Sequence, residues 1–214
     1  MENKGKISFN RLFWLFMAGS LLGVVIEGVF CYFKFGHWET HTVTVWGPFC
    51  SIYGLGMAGF YVGSVLMKNK SLLFKFVMYA VIADIIELIC GLVLRYGLNM
   101  KAWTYKNHFM NFKEMICLDM TLAWGLFGIL FSQLLAPRLE GIFNFLDKKL
   151  LNVFCVAFSV FFMADLIFSG ACMIRYAERH NKGTAPSNSC EEFIDRRYDD
   201  ARMKKIFCEW RFLS

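Results

Sequence analysis

Five acidic side chains stand inside or at the edge of long apolar runs: Glu27, Asp84, Glu87, Asp119 and Asp165. A carboxylate at membrane depth costs roughly 2.5–3.5 kcal/mol on insertion scales, so such residues mark substrate, ion or proton sites or polar contacts between helices. Asp84 and Glu87 are three residues apart and share one face of a helix. At a rise of 1.5 Å per residue, Glu27 lies about 22 Å into its helix, beyond the midplane. Asp165 reaches a similar depth on its own span, and Asp119 enters from the outer end of another. The acids therefore collect in the centre and outer half, and a polar pocket opening outward is the expectation. Arg95 and Arg175 end two of the helices on that side and are the available cationic partners. The alternative is a set of interhelical salt bridges and hydrogen bonds that hold the bundle.

The elements that must position these groups follow from composition. Of 214 residues, 57% are hydrophobic and only 19% charged, a balance suited to lipid as solvent. Basic residues flank the apolar runs instead of forming an aromatic-interleaved stripe, so the net charge of +6 does not point to nucleic acid. With about 20 apolar residues needed per crossing, spans fall at 12–35, 46–67, 72–95, 116–137 and 150–175. The fold class is an all-α integral membrane protein, with a bundle over 1–177 and a polar linker and tail over 178–214. The first run lacks a small-residue cleavage site and reads as a retained helix. Lys4, Lys6, Arg11, Lys68, Lys70, Lys75, Arg138, Lys148 and Lys149 share one side, against Lys34, Arg95, Lys101, Lys106 and Lys113. That bias puts the amino terminus in the cytoplasm and the tail outside, where Cys190 and Cys208 could form a disulfide. Within the tail, Cys190–Trp210 has the spacing of an amphipathic helix, suited to the membrane surface or the bundle.

The spans carry hints of a repeat. Gly23-Val24-Val25-Ile26-Glu27 aligns with Ala83-Asp84-Ile85-Ile86-Glu87, and Ala164-Asp165-Leu166-Ile167 echoes the same pattern. Trp46-Gly47-Pro48-Phe49 parallels Trp124-Gly125-Leu126-Phe127, so the unit is a helical hairpin used in parallel orientation. The pairs Gly19/Gly23 and Gly59/Gly63 allow close helix approach. Trp38, Trp46 and Trp103 suit membrane interfaces, and Pro48 suits the first turn of the second helix. Six of the eight cysteines fall in or beside apolar spans and read as small buried hydrophobes. His37, Glu39 and His41 alternate in one loop and His108 lies in another. Such groups can bind zinc, but nothing in the sequence fixes their geometry, so solvated loop residues are the expectation and no metal site is assigned. There is no G-x-x-x-x-G-K-[ST] run, so any ATP must be hydrolysed by a partner.

Trp46-Gly-Pro-Phe-Cys-Ser-Ile-Tyr-Gly54 after a Gly-x-x-x-Glu helix, with Cys117-Leu-Asp-Met-Thr-Leu-Ala-Trp-Gly-Leu-Phe-Gly128, resembles the bacterial family called ABC transporter type IV, of the CmpB kind. The resemblance covers about Gly19 to Leu139 and implies a multi-pass permease of the bacterial cytoplasmic membrane, working with a separate ATPase subunit. It carries no catalytic or binding residues over. The leading expectation is a permease-like protein that binds or moves a small substrate, with Glu27, Asp84, Glu87, Asp119, Asp165, Arg95 and Arg175 about the site. It would have no cofactor and would sit in lipid, as a single chain or a homo-oligomer. Two alternatives stay open. One is an intramembrane enzyme acting on a lipid-linked substrate, with Glu87 as base and Arg95 on a phosphate; the other is a structural or regulatory subunit.

Overall fold

The computed structural model describes residues 7–146 and 149–213. Lys4, Lys6 and Lys148, used above for orientation, lie outside the described residues, as does the side chain of Lys149.

Helix α1 spans Phe9–Phe35. Ser8 caps its start by accepting from the Arg11 backbone N–H at 3.4 Å. Gly36 ends it in the left-handed region at φ 76°, its N–H bonded back to Tyr32. Leu21, Leu22, Val25, Ile26, Val29, Phe30 and Phe33 are all exposed along this helix, a face that only hydrocarbon would cover. Helix α2 spans Ser51–Leu66 and α3 spans Leu72–Leu92, the latter continued by a π-helical turn over Val93–Gly97. Helix α4 covers Leu118–Leu130 and passes through a second π-helical turn, Phe131–Leu135, into α5 at Ala136–Leu146. Pro137 explains that turn: it has no N–H to offer the preceding residues, and the widened ring accommodates the lost bond. Helix α6 runs over Lys149–Lys182, past the residue 175 expected for its end. Phe9–Phe35, Leu72–Gly97, Leu118–Leu139 and Leu151–Lys182 are long and apolar enough to cross a membrane, so this is an all-α membrane protein.

The second span departs from expectation. Its helix begins at Ser51 instead of 46 and has 16 residues, shorter than a full crossing. Pro48 therefore precedes the helix and does not occupy its first turn. Residues 42–50 form a compact loop whose carbonyls are taken up locally: the Thr42 and Thr44 hydroxyls donate to the Gly47 carbonyl at 2.9 and 2.7 Å. The Val43 N–H bonds the Phe49 carbonyl at 2.9 Å. A residue preceding proline avoids helical dihedrals, which favours this loop over an earlier helix start. Trp46 is thus a loop residue, whereas its sequence counterpart Trp124 lies within α4.

Helices α1 and α2 form one hairpin and α3 and α4 another. At Gly23 the α1 backbone lies against the Tyr53 side chain, and an added Cβ would come within 2.6 Å of the Tyr53 Cβ and Cγ. One core joins Leu15, Phe60, Tyr61, Tyr79, Ala83, Phe131 and Phe143; a second joins Phe13, Met17 and Phe49 to Cys155 and Phe162 of α6. The tail is two short helices, α7 (Ser189–Arg197) and α8 (Asp200–Ile206), instead of one amphipathic helix. The break comes where Asp199 caps α8 by accepting from the Arg202 N–H at 2.8 Å. Ile194, Tyr198, Met203 and Phe207 pack on Met100, Cys172 and Met173, so the tail folds onto the bundle end that carries the 36–50 and 98–117 loops. Strand β2 (Arg211–Phe212) pairs antiparallel with β1 (Met100–Lys101).

Arg175 fastens this cap. It is 3% exposed and donates to Asp195 of α7 through Nε at 2.9 Å and Nη2 at 2.7 Å, while Arg179 also binds Asp195. The hydrogen bonds from Arg175, and then those from Arg179, outweigh burial and hold the Asp195 carboxyl below the usual carboxylate range. Such a group stabilises the docked tail above its unfolded value of about 3.9 and loses that contribution as pH falls through its lowered folded value. A nitroxide attached to the exposed Cys190 of α7 should accordingly gain mobility only below about pH 4, and Asp195→Asn should show that mobility at neutral pH. An immobile label in Asp195→Asn would refute the clamp. A second expectation concerns the hairpin: Gly23→Ala should destabilise the bundle by about 1–3 kcal/mol in denaturant titration in micelles, because Tyr53 must shift.

Candidate functional site

The acids expected to line one pocket separate into distinct settings. Glu27 of α1 accepts from the Tyr53 hydroxyl of α2 at 2.5 Å, and its other oxygen lies 3.9 Å from His41 Nδ1. Glu87 of α3 is buried, and its Oε1 accepts from Trp124 Nε1 of α4 and from the Tyr105 hydroxyl, each at 3.1 Å. Among the described residues Glu87 Oε2 has no hydrogen-bond partner. The two hairpins meet here: the Tyr53 and Trp124 rings lie edge to face, 6.2 Å between centroids. A chain of contacts, Glu27–Tyr53–Trp124–Glu87–Tyr105, thus crosses the bundle. Tyr105 sits on the 98–117 loop, and burial pushes its phenol well above the ordinary value, with the Glu87 carboxylate and the more distant Glu27 adding to it. Both glutamates are therefore within electrostatic reach of one hydroxyl.

One turn before Glu87, Asp84 accepts from Thr121 Oγ1 at 2.8 and 3.0 Å, a second link between α3 and α4. Asp165 of α6 is fully buried but turned to another partner. Its Oδ1 accepts from the Trp46 backbone N–H at 3.2 Å and from Ser169 Oγ at 3.0 Å, and Ser169 in turn accepts from the Val45 N–H at 2.8 Å. Asp165 thereby satisfies loop amides left free because residues 45–46 are not helical. Asp119 is half exposed and lies 2.8 Å from His108 Nδ1.

Neither arginine serves as the counter-ion that the sequence offered. Among the described residues Arg95 makes its ion pair with Glu114 at 3.8 Å, and Arg175 pairs with Asp195 and Glu178. Arg95 lies in the π-helical turn that ends its helix and Arg175 about two turns before the end of α6, where Glu114, Asp195 and Glu178 reach them. Beside Arg95 is a cavity of about 10 Å³ lined by Gly91, Leu94, Trp103 and Met115, room for about one water.

Tyr53, Tyr105, Thr121 and Trp124, the donors to these acids, were not singled out from sequence. The usable signal was chemical need: a buried indole or phenol requires an acceptor, and a buried carboxylate requires a donor. The interface tryptophans also bond inward, Trp46 Nε1 to the Tyr198 hydroxyl at 3.1 Å and Trp103 Nε1 to the Met115 carbonyl at 2.9 Å. If the Glu87 donors hold the second hairpin together, Trp124→Phe should cost about 1–3 kcal/mol. Combined with Tyr105→Phe it should depart from additivity by about 0.5–3 kcal/mol in a double-mutant cycle of unfolding; strict additivity would dissolve the shared centre.

Neither the curated proteins nor the solved structures contain a match to this chain. The family model described as putative ABC-transporter type IV matches residues 14–170, a stretch that contains both glutamates and every donor to them. The protein belongs to that family of ABC-transporter-like membrane proteins.

Proposed function

We propose that this protein is a permease-like membrane component whose small substrate is recognised at the Glu27–Glu87 centre, with ATP hydrolysis supplied by a separate subunit. The observation that carries this reading is the unpartnered Glu87 Oε2, buried beside two aromatic donors where both hairpins meet. A buried carboxylate oxygen without a donor is costly unless something binds it, and the chemistry that answers it is a small cation or a ligand rich in N–H or O–H groups. Glu27, on the other hairpin, accepts from Tyr53, whose ring packs edge to face against Trp124. Asp84 and Asp119 flank the approach on α3 and α4, and Asp165, Arg95 and Arg175 act as supports that fix the loops and tail around it. The amino terminus is assigned to the cytoplasm and the loop end with its tail to the outside of a bacterial cytoplasmic membrane, as the lysine and arginine bias directs.

The test is a thermal-stability screen of the purified chain in micelles against small amines, cations and polyols. A true ligand at 100 times its Kd should stabilise the wild-type chain by about 2.7 kcal/mol, and Glu87→Gln, folded to the same yield, should lose that gain. If no compound stabilises the wild type, or if Glu87→Gln responds equally, the centre is a packing feature and the transport reading fails.

A further inference from the structure

At the loop end of α1, the helix and the 36–50 loop that follows it bring sulfur, nitrogen and oxygen ligands together. Cys31 of α1, 2% exposed, places Sγ 3.3 Å from His41 Nε2 and 3.6 Å from Glu39 Oε2. His41 Nε2 lies 3.3 Å from Glu39 Oε2, closing a triangle. Glu27, one helical turn before Cys31, approaches the same imidazole, and one ligand atom each from Glu27, Cys31 and His41 lies within 4.8 Å of the others. The tail packs against the same loop. Thr40 fixes this approach by donating its hydroxyl to the Ile206 carbonyl at 3.5 Å. His37 braces the other Glu39 oxygen at 3.0 Å.

We propose that Cys31, Glu39 and His41, with Glu27 completing the shell, bind a thiophilic divalent metal ion of the Zn²⁺ class. Zinc bonds of about 2.3 Å to sulfur and 2.0–2.2 Å to nitrogen and oxygen, at tetrahedral angles, separate the ligand atoms by about 3.5 Å for S–N and S–O and about 3.3 Å for N–O. The three observed separations fall within a few tenths of an ångström of these values. Charge supplies an independent argument. Two carboxylates, Glu27 and Glu39, and the Cys31 thiol converge on the His41 imidazole, and among the described residues no Lys or Arg forms an ion pair with either carboxylate. A mixed thiolate, imidazole and carboxylate set favours Zn²⁺ over Mg²⁺ or Ca²⁺, which take oxygen alone. On binding, the Cys31 thiol releases its proton to water and its sulfur becomes the metal-bound thiolate, so uptake strengthens as pH rises.

The site would tie α1 and the 36–50 loop to one ion, next to the Tyr53 end of the carboxylate chain. The site shares Glu27 with the substrate centre of the transport reading, whereas Cys31, Glu39 and His41 make no contact with Glu87. Its test is metal titration of the full chain, stripped with chelator, in detergent micelles. One equivalent of Zn²⁺ should bind, and Co²⁺ in its place should give a thiolate-to-metal charge-transfer band. Cys31→Ser should abolish that band. His41→Gln and Glu39→Gln should each weaken Zn²⁺ by more than about 100-fold, beyond the 10–100-fold typical of losing an outer-shell partner. Glu87→Gln should bind metal as the wild type does, so failure here is distinguishable from failure of the substrate centre. Circular dichroism and elution volume report folding, and if Cys31→Ser misfolds, His41→Gln decides. Substoichiometric uptake by the wild type, or uptake unchanged in His41→Gln, would overturn the proposal.

Discussion

A carboxylate taken out of water must be met by a donor or a cation, and the arrangement of this bundle follows from where its acids find them. A hydrogen bond to a charged group contributes about 1.5–3 kcal/mol, against roughly 2.5–3.5 kcal/mol to place the acid at membrane depth. One such bond scarcely offsets the cost; two do. Glu87 has two, from Trp124 and Tyr105, and Asp165 has two, from the Trp46 amide and Ser169. Asp84 shares the single hydroxyl of Thr121 between its two oxygens and so has only one donor. Most of these bonds run between elements, so each acid fixes the relative placement of helices that apolar contact alone would let slide. Glu87 and Asp165 each keep one oxygen with no hydrogen-bond partner among the described residues, and what sets Glu87 apart is its place where the two hairpins meet.

The second organising feature is the cap. Arg175 and Arg179 leave α6 at its end and clamp Asp195, which turns α7 back over the loops. That fold-back brings β2 to β1 and sets Cys208 and Glu209 beside His41 and Glu39. The tail thereby becomes a wall of the polar end of the bundle. Its two helices end at Tyr198 and Phe207, whose rings are buried in the cluster that also holds Met100 and Met173. Local capping by Asn188 and Asp199 explains why the segment breaks into short helices that can wrap a curved surface.

Much of this was legible in the chain alone. Apolar runs bounded by lysine, arginine and glycine mark the long helices, because lipid offers backbone amides no other partner than the helix itself. Acids inside those runs stand out because they are expensive there, and the family resemblance rests on runs such as 46–54 and 117–128 that line the same region. The exact start of α2 was not legible, because Trp46-Gly-Pro-Phe is apolar enough to pass for helix. Its loop form depends on Asp165 and Ser169 of α6, more than a hundred residues away, accepting its free amides.

The sequence by itself determined a membrane bundle of apolar helices carrying a few costly carboxylates, since hydropathy and charge are local properties of the chain. Only the tertiary structure decided which donor meets which acid. It sent Arg95 and Arg175 to Glu114 and Asp195, because the 98–117 loop and the folded-back tail bring those carboxylates against them. It also set Cys31 against Glu39 and His41, giving ligand geometry to loop residues that the sequence left as solvated. Pairing of that kind depends on the folding back of α1's end, its loop and the tail, and no spacing along the chain encodes it.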